Sequence, residues 1–279
     1  MTLAALRVVG RLELATTARR RWVRLFSVAF ALMAAGIAYS AGALEEGGGP
    51  DGFARTTVAL VPLMLMVAPL AALLVGITGH SGDAGGEGFL FALPLSRSEI
   101  LVGRWLGQVA ALGTSLGVGF AAGALVVVAL TGTAEGLPRF AVFVLASALL
   151  SAAFLSLAAL VSACCGPRTA ALGVGCFVWF VLVILHDALS LWLAGQVAGR
   201  AGARVLLASV LLNPVDTARV AILSLAGTPH VLGAAGEAWA LAFGGAAPAA
   251  VVAFATLLAW VLVPLEVARR RLGGRDLYA

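Results

Sequence analysis

Apolar residues fall into six runs of about twenty or more positions, at 25–44, 57–78, 105–131, 140–164, 170–193 and 246–267, separated by short stretches rich in glycine and charge. An α-helix needs about 20 apolar residues to cross the hydrocarbon core of a bilayer. The pattern therefore predicts an all-α integral membrane protein with six transmembrane helices. Ala41-Gly42-Ala43 resembles a signal-peptidase site, but the first apolar run and its basic lead-in are both longer than a secretory signal has, so an uncleaved first span is expected.

The connections carry the polarity. Ahead of the first span stand Arg7, Arg11, Arg19, Arg20, Arg21 and Arg24, with Ala5, Val9, Leu12 and Thr16 on the face opposite Arg7 and Arg11. Residues 1–24 thus read as an amphipathic helix lying along the membrane; the alternative is a basic tail without structure. Pro62 and Pro69 bend the second span. Gly113, Gly117, Gly119 and Gly123 give the third span small-xxx-small spacing, which permits close helix approach. Residues 165–169, Cys165-Gly166-Pro167-Arg168-Thr169, form a tight turn before the fifth span. His186 and Asp187 fall in the last third of that span and read as an interfacial pair rather than a lining of a path.

The long connection 194–245 is expected outside the membrane. Within it Asn213-Pro214-Val215-Asp216 is a helix start: Asn213 caps, Pro214 takes the first position without losing a donor, and Asp216 faces the positive end of the dipole. That helix is expected to end near residue 226.

Charge fixes the orientation. With both termini inside, 13 of the 18 arginines are cytoplasmic, including Arg97, Arg104, Arg168 and Arg269, Arg270 and Arg271 in a basic tail over 268–279. The positive-inside rule favours this arrangement and argues against a seventh span over 231–247.

Composition narrows the chemistry. The chain of 279 residues is 62% hydrophobic and 11% charged, with mean hydropathy +1.06, which excludes a soluble globular domain. The formal charge of +5 comes from scattered arginines without aromatic interleaving, so no nucleic-acid surface is expected. All 18 basic residues are arginine; a phosphate-cradling P-loop needs a lysine, so the chain carries no ATPase site of its own. Cys164, Cys165 and Cys176 lack metal-ligand spacing and read as packing residues. His80, His186 and His230 stand far apart in sequence, so neither a metal site nor a catalytic cluster is expected. A secondary transporter and an intramembrane enzyme are the rival classes; the first would need mid-membrane charges and broken helices, the second a converging catalytic set.

One connection differs from the others. Residues 79–104 hold a glycine-rich acidic entry, Gly82-Asp83-Ala84-Gly85-Gly86-Glu87-Gly88, an apolar middle, Phe89-Leu90-Phe91-Ala92-Leu93, and the exit Pro94-Leu95-Ser96-Arg97-Ser98-Glu99 before Gly103-Arg104. It is too polar for lipid and too apolar for an idle linker, and reads as a docking element.

With these motifs the chain resembles the ABC-2 class of ABC-transporter permeases over nearly its whole length. Within that class Arg11-Leu12-Glu13-Leu14, Pro94-Leu95-Ser96-Arg97 through Arg104, and Leu211-Leu212-Asn213-Pro214-Val215-Asp216-Thr217-Ala218-Arg219 look like the NosY subfamily, the permeases that serve nitrous oxide reductase maturation. The resemblance implies a homodimer paired with two copies of a separate ABC ATPase subunit, which binds the ATP and magnesium, in the bacterial inner membrane. A periplasmic NosD-like solenoid partner follows from the same likeness. It implies ATPase-coupling roles for Glu87, Phe89, Leu90, Leu93, Pro94, Arg97, Gly166 and Arg168, with Phe89, Leu90 and Leu93 as apolar anchors. It also implies an extracytoplasmic partner or gate role for Asn213, Pro214, Asp216 and Arg219.

Overall fold

The computed structural model describes residues 3–43, 52–80, 95–197, 200–225, 239 and 241–273. These residues form helices α1 (Leu3–Arg19), α2 (Arg21–Ala43), α3 (Gly52–His80), α4 (Arg97–Thr131), α5 (Leu137–Cys164) and α6 (Arg168–Phe180). A π-helical turn, Val181–Leu185, joins α6 to α7 (His186–Gln196), followed by α8 (Arg200–Leu212), α9 (Pro214–Leu225) and α10 (Ala246–Gly273). Six segments are long and apolar enough to cross a membrane: α2, α3, α4, α5, the continuous α6–α7 and α10.

Each span extends beyond its apolar run, most of all α4. Its start at Arg97 is set by a capping box that the Ser-x-x-Glu spacing encodes: the Glu99 N–H donates to Ser96 Oγ at 3.2 Å, and Glu99 Oε2 accepts from the Ser96 N–H at 3.0 Å. Its end is set by Gly132, whose φ of 69° suits glycine and whose N–H reaches Val128 O at 2.9 Å. The 35 residues between make a rod of about 52 Å, far longer than the roughly 30 Å of hydrocarbon it crosses.

Contacts define two ends of the bundle. At one, the Arg20 guanidinium donates to Thr78 Oγ1 at 2.9 Å and Arg271 reaches Cys164 Sγ at 3.3 Å, so the start of α2 meets the ends of α3, α5 and α10 there. At the other, Gly42 lies against Leu130, Gly52 against Thr131 and Gly136 against Phe53. The interior of α2–α5 is filled by an aromatic cluster: Phe120 meets Phe30 edge-on at 5.3 Å and Phe143 at 4.9 Å, and Phe53 meets Phe140 at 5.5 Å.

Glycines set how closely the rods approach, and two of the four in the small-xxx-small pattern of α4 do so. Gly119 lies against the ring of Phe30 and Gly123 against the backbone of Ala34, whereas Gly113 and Gly117 face open space. A close seam joins α1 to α4: Gly10 and Val9 pack on Gly103 and Gly107, while Glu13 Oε1 accepts from Gln108 Nε2 at 3.3 Å and from Thr17 Oγ1 at 3.2 Å. The packed face of α1 is therefore Ala5, Val9, Glu13 and Thr17 rather than the expected Ala5, Val9, Leu12 and Thr16; Leu12 is 48% exposed. The close backbone approach at Gly10 and the Glu13–Gln108 bond outweigh the apolarity of Leu12. The cysteines divide: Cys165 is half-buried and packs against the main core, whereas Cys164 and Cys176 are exposed on the described surface and are not interior packing residues.

A Cβ at position 107 would stand 2.5 Å from Gly10 O and 2.7 Å from Glu13 Cβ, whereas one at 113 meets nothing within 4 Å. Gly107→Ala should therefore lower stability by about 1–3 kcal/mol through overpacking while Gly113→Ala leaves it unchanged, as read by the thermal unfolding midpoints of the two variants in one detergent.

Candidate functional site at a broken helix

The segment expected as an outer loop is built into the bundle. Helices α8 and α9 are bent by 106° at Asn213, across residues 204–224, and together they are apolar enough to form a broken or re-entrant span. The break sits beside the middle of its neighbours: Trp260, midway along α10, donates from Nε1 to Leu211 O at 3.1 Å, and one cavity is shared by Val61 and Leu65 of α3 with Val215 and Leu223 of α9. Asn213 and Pro214 thus lie at mid-bundle depth, not outside it.

A chain break at that depth leaves carbonyls without intrahelical partners. Pro214 has no N–H to give Val210 O, and the turn at Asn213 ends the ladder for its neighbours. Three successive carbonyls at the end of α8 receive side-chain donors instead. Ser209 O accepts from His186 Nε2 at 3.2 Å, Val210 O from the Thr217 hydroxyl, and Leu211 O from Trp260. Thr217 is completely buried and its hydroxyl also lies 2.9 Å from Asn213 O.

Asn213 closes the turn from the other side. Its Oδ1 accepts from the Val215 N–H at 3.0 Å, the capping role that the sequence predicts, and its O accepts the first helical bond of α9 from the Thr217 N–H at 3.0 Å. Its Nδ2 donates to Leu182 O at 2.8 Å and to Asp216 Oδ2 at 3.3 Å. Leu182 lies in the π-turn, where the His186 N–H bonds to Val181 O five residues back. A π-turn widens the helix and turns a carbonyl outward, which is what Asn213 uses.

Charge surrounds this turn in a graded way. The Arg219 guanidinium lies 3.0 Å from Asp216 Oδ1 and 2.9 Å from Asp187 Oδ2, and Asp216 Oδ2 is 3.7 Å from His186 Nε2. Side-chain exposure rises from 10% at Asp216 through 18% at His186 to 33% at Arg219 and 36% at Asp187. His186 and Asp187 are thus partners of α8 and α9 rather than a simple interfacial pair. The contact of Arg219 with Asp216 Oδ1 is an ion pair without hydrogen-bond alignment.

His186 Nε2 also stands 3.0 Å from Ser209 Oγ, which donates to Ser190 Oγ at 2.6 Å. This is no nucleophile relay. In a Ser-His-Asp triad the carboxylate holds Nδ1 while Nε2 serves the serine; here Ser209 and Asp216 lie on the same nitrogen. Among the described residues, no three His, Cys, Asp or Glu side chains converge as metal ligands.

Arg219 is shared by two cavities. One, of about 450 Å³, is apolar and lined by Val58, Pro62, Leu65, Val183 and Leu223. The other, of about 150 Å³, is lined by Asp187, Ser190, Ser209 and Asp216. The arrangement is a discontinuous helix with its polar groups at mid-depth and space on both sides, which transporters use to hold or pass solutes.

The other predicted residues lie at the far end of the bundle or beyond description. Glu87, Phe89, Leu90, Leu93 and Pro94 fall outside the described residues. Arg97 opens α4, Gly166 is exposed in the turn after α5, and Arg168 opens α6. From Arg168 to Leu182 runs about 21 Å of continuous helix, so the turn before α6 stands at one end, and the contact with the broken helix at the middle, of the rod that continues to Gln196. Sequence reasoning missed Thr217 and Trp260; Pro214 carried a signal for the first, since a proline always frees the carbonyl four residues before it.

Asn213→Ala should cost about 2–4 kcal/mol, the sum of a lost cap and an unpaired buried carbonyl at Leu182. Thr217→Val, nearly isosteric, should cost about 1–3 kcal/mol by leaving Val210 O without a donor. Thermal unfolding of the two purified variants checks both values.

A family model described as "ABC-2 family transporter protein" matches residues 7–277. A protein of Stutzerimonas stutzeri named "Probable ABC transporter permease protein NosY" is 32% identical over 275 residues, covering 95% of this chain and 98% of the relative. The protein of the same name from Pseudomonas aeruginosa is 33% identical over 221 residues, 77% of this chain and 80% of the relative. The six membrane-spanning segments, the broken helix and these matches lead to one conclusion: the chain belongs to the ABC-2 family of transporter proteins.

Proposed function

We propose that this chain is a NosY-type permease, the membrane subunit of an ABC transporter that supports copper-site maturation of nitrous oxide reductase. The observation that carries the reading is the likeness to a NosY permease along 98% of that relative's length. In this reading two copies of the chain sit in the inner membrane with both termini in the cytoplasm, and each contacts a separate ATPase subunit that binds ATP and magnesium. A NosD-like solenoid protein stands on the periplasmic side.

The mechanism follows from where the elements lead. Residues 81–94 connect the end of α3 to the start of α4, so a push there acts on both rods. Phe89, Leu90 and Leu93 supply the apolar anchors of the contact, Pro94 shapes its exit, and Glu87 and Arg97 form its charged rim, in keeping with the usual division of interface energy. Gly166 and Arg168 receive the ATPase at the second turn. Movement of α3 shifts one wall of the apolar cavity, and movement of α6 shifts the π-turn that Asn213 holds. The resulting change is a rearrangement around Asn213, Pro214, Asp216 and Arg219, with Arg219 exchanging partners between Asp187 and Asp216.

The apolar cavity of about 450 Å³ favours a second reading, a general ABC-2 exporter whose cargo is an apolar solute. Complementation separates the two. In a strain lacking its own NosY-type permease, this chain should restore copper-loaded, active nitrous oxide reductase; failure to do so, with ATPase binding intact, favours the general exporter. Leu90→Asp combined with Leu93→Asp should abolish co-purification of the ATPase from a folded permease, and undiminished binding would refute the docking role of the segment.

A further inference from the structure

At the arginine-rich end of the bundle, the seam between α1 and α4 opens to the outside as a groove of about 290 Å³. Its floor is the close approach of Gly10 to Gly107, and its apolar walls include Leu3 and Leu14 of α1 and Leu106 of α4. Arg7 and Arg11 complete the lining. They stand one turn apart on a single face of α1 and both are exposed. Arg20, Arg269, Arg270 and Arg271 at the same end each have a side-chain partner. Among the described residues, Arg7 and Arg11 have no ion pair and no hydrogen bond from their side chains.

The neighbours of the groove give its depth. Gly79, the residue before the last of α3, lies against Gln108 and Glu13, so Gly107 stands where α3 leaves its span. From there residues 106, 110, 113 and 117 follow one face of α4 into its apolar run. A Cβ at Gly113 or Gly117 would meet nothing within 4 Å, and Leu106 and Val118 beside them are exposed. The packing of the bundle does not use these two glycines. They leave a strip of bare apolar surface that begins at two guanidinium groups.

The two halves call for one occupant. A pair of guanidiniums one turn apart holds a phosphodiester by charge-assisted bonds, and basic groups at the membrane surface attract anionic lipid. The bare strip takes a flexible alkyl chain. A soluble phosphate satisfies the arginines and leaves the strip uncovered, while a choline head brings a cation of its own against them. A second copy seated here about a twofold axis would present the same patch, setting Arg7 and Arg11 against their own counterparts. We propose that this groove holds an anionic phospholipid, its phosphate between Arg7 and Arg11 and an acyl chain along Leu106, Gly113 and Gly117.

The test is lipid retention by the detergent-purified full-length permease, read by native mass spectrometry after incubation with vesicles of phosphatidylglycerol or of phosphatidylcholine. The wild-type chain should retain phosphatidylglycerol in preference to phosphatidylcholine. Arg7→Gln combined with Arg11→Gln should reduce that retention about tenfold, the value of one charge-assisted bond, at an unchanged melting temperature. Gly113→Leu combined with Gly117→Leu, which covers the strip and leaves both arginines in place, should reduce it several-fold. Arg21→Gln, which removes an exposed arginine of α2 at the same end but outside the groove, should leave retention unchanged. Undiminished retention by the arginine or the leucine variant, or equal loss in Arg21→Gln, overturns the site. Displacement of the lipid by equimolar glycerol phosphate overturns the assignment to a lipid. Loss of ATPase co-purification in the arginine variant with lipid retention intact overturns it in favour of a protein partner.

Discussion

A backbone carbonyl inside a membrane has no water to turn to, and the architecture around Asn213 follows from that constraint. The chain breaks there at mid-bundle depth, and the break exposes the end of one helix and the start of the next. Four side chains satisfy it, two from elsewhere in the fold, His186 of α7 and Trp260 of α10, and two at the turn itself, Asn213 and Thr217. Any displacement of α7 or α10 relative to α8 removes a donor from a carbonyl that the break has left without an intrahelical partner. The polar turn therefore couples the positions of α7, α8 and α10.

The arginine-rich end of the bundle is held by a different device. There the chain uses absence of side chains: Gly10, Gly103 and Gly107 bring α1 onto α4 so closely that backbone meets backbone, and the half-buried Glu13–Gln108 bond sets the register. Dispersion and small residues hold helices together in lipid, where the hydrophobic effect offers no preference between helix and solvent. The seam makes α1 part of the α4 rod, so this end of the bundle moves as one body.

The two ends were not equally legible in the sequence. Run length revealed the six spans because a helix crossing hydrocarbon must be apolar along its whole crossing, whatever its neighbours. Asn213-Pro214-Val215-Asp216 announced a helix start because capping is local chemistry, and Ser96 with Glu99 carried the same kind of signal for α4. Depth was not legible. A short helix pair with several polar residues reads as an outer loop unless the partners of those residues are known, and Leu182, His186 and Trp260 are distant in sequence. The packed face of α1 was misread for a related reason: Leu12 is the larger apolar group, but Gly10 determines how closely the helices approach. The exposed Cys164 and Cys176 face outward, where a small apolar residue suits lipid as well as it suits a core.

The length of α4 has a geometric consequence. Its aromatic contacts centre on Phe120, 23 residues from Arg97 at one end and 11 from Thr131 at the other. At 1.5 Å per residue these are arms of about 34 and 16 Å. A stiff rod turning about that collar carries its short end roughly half as far as its long end, and in the opposite sense. Any motion applied at Arg97 would be geared down into a smaller, stronger displacement at Thr131, the proportion of a crowbar rather than of a pointer.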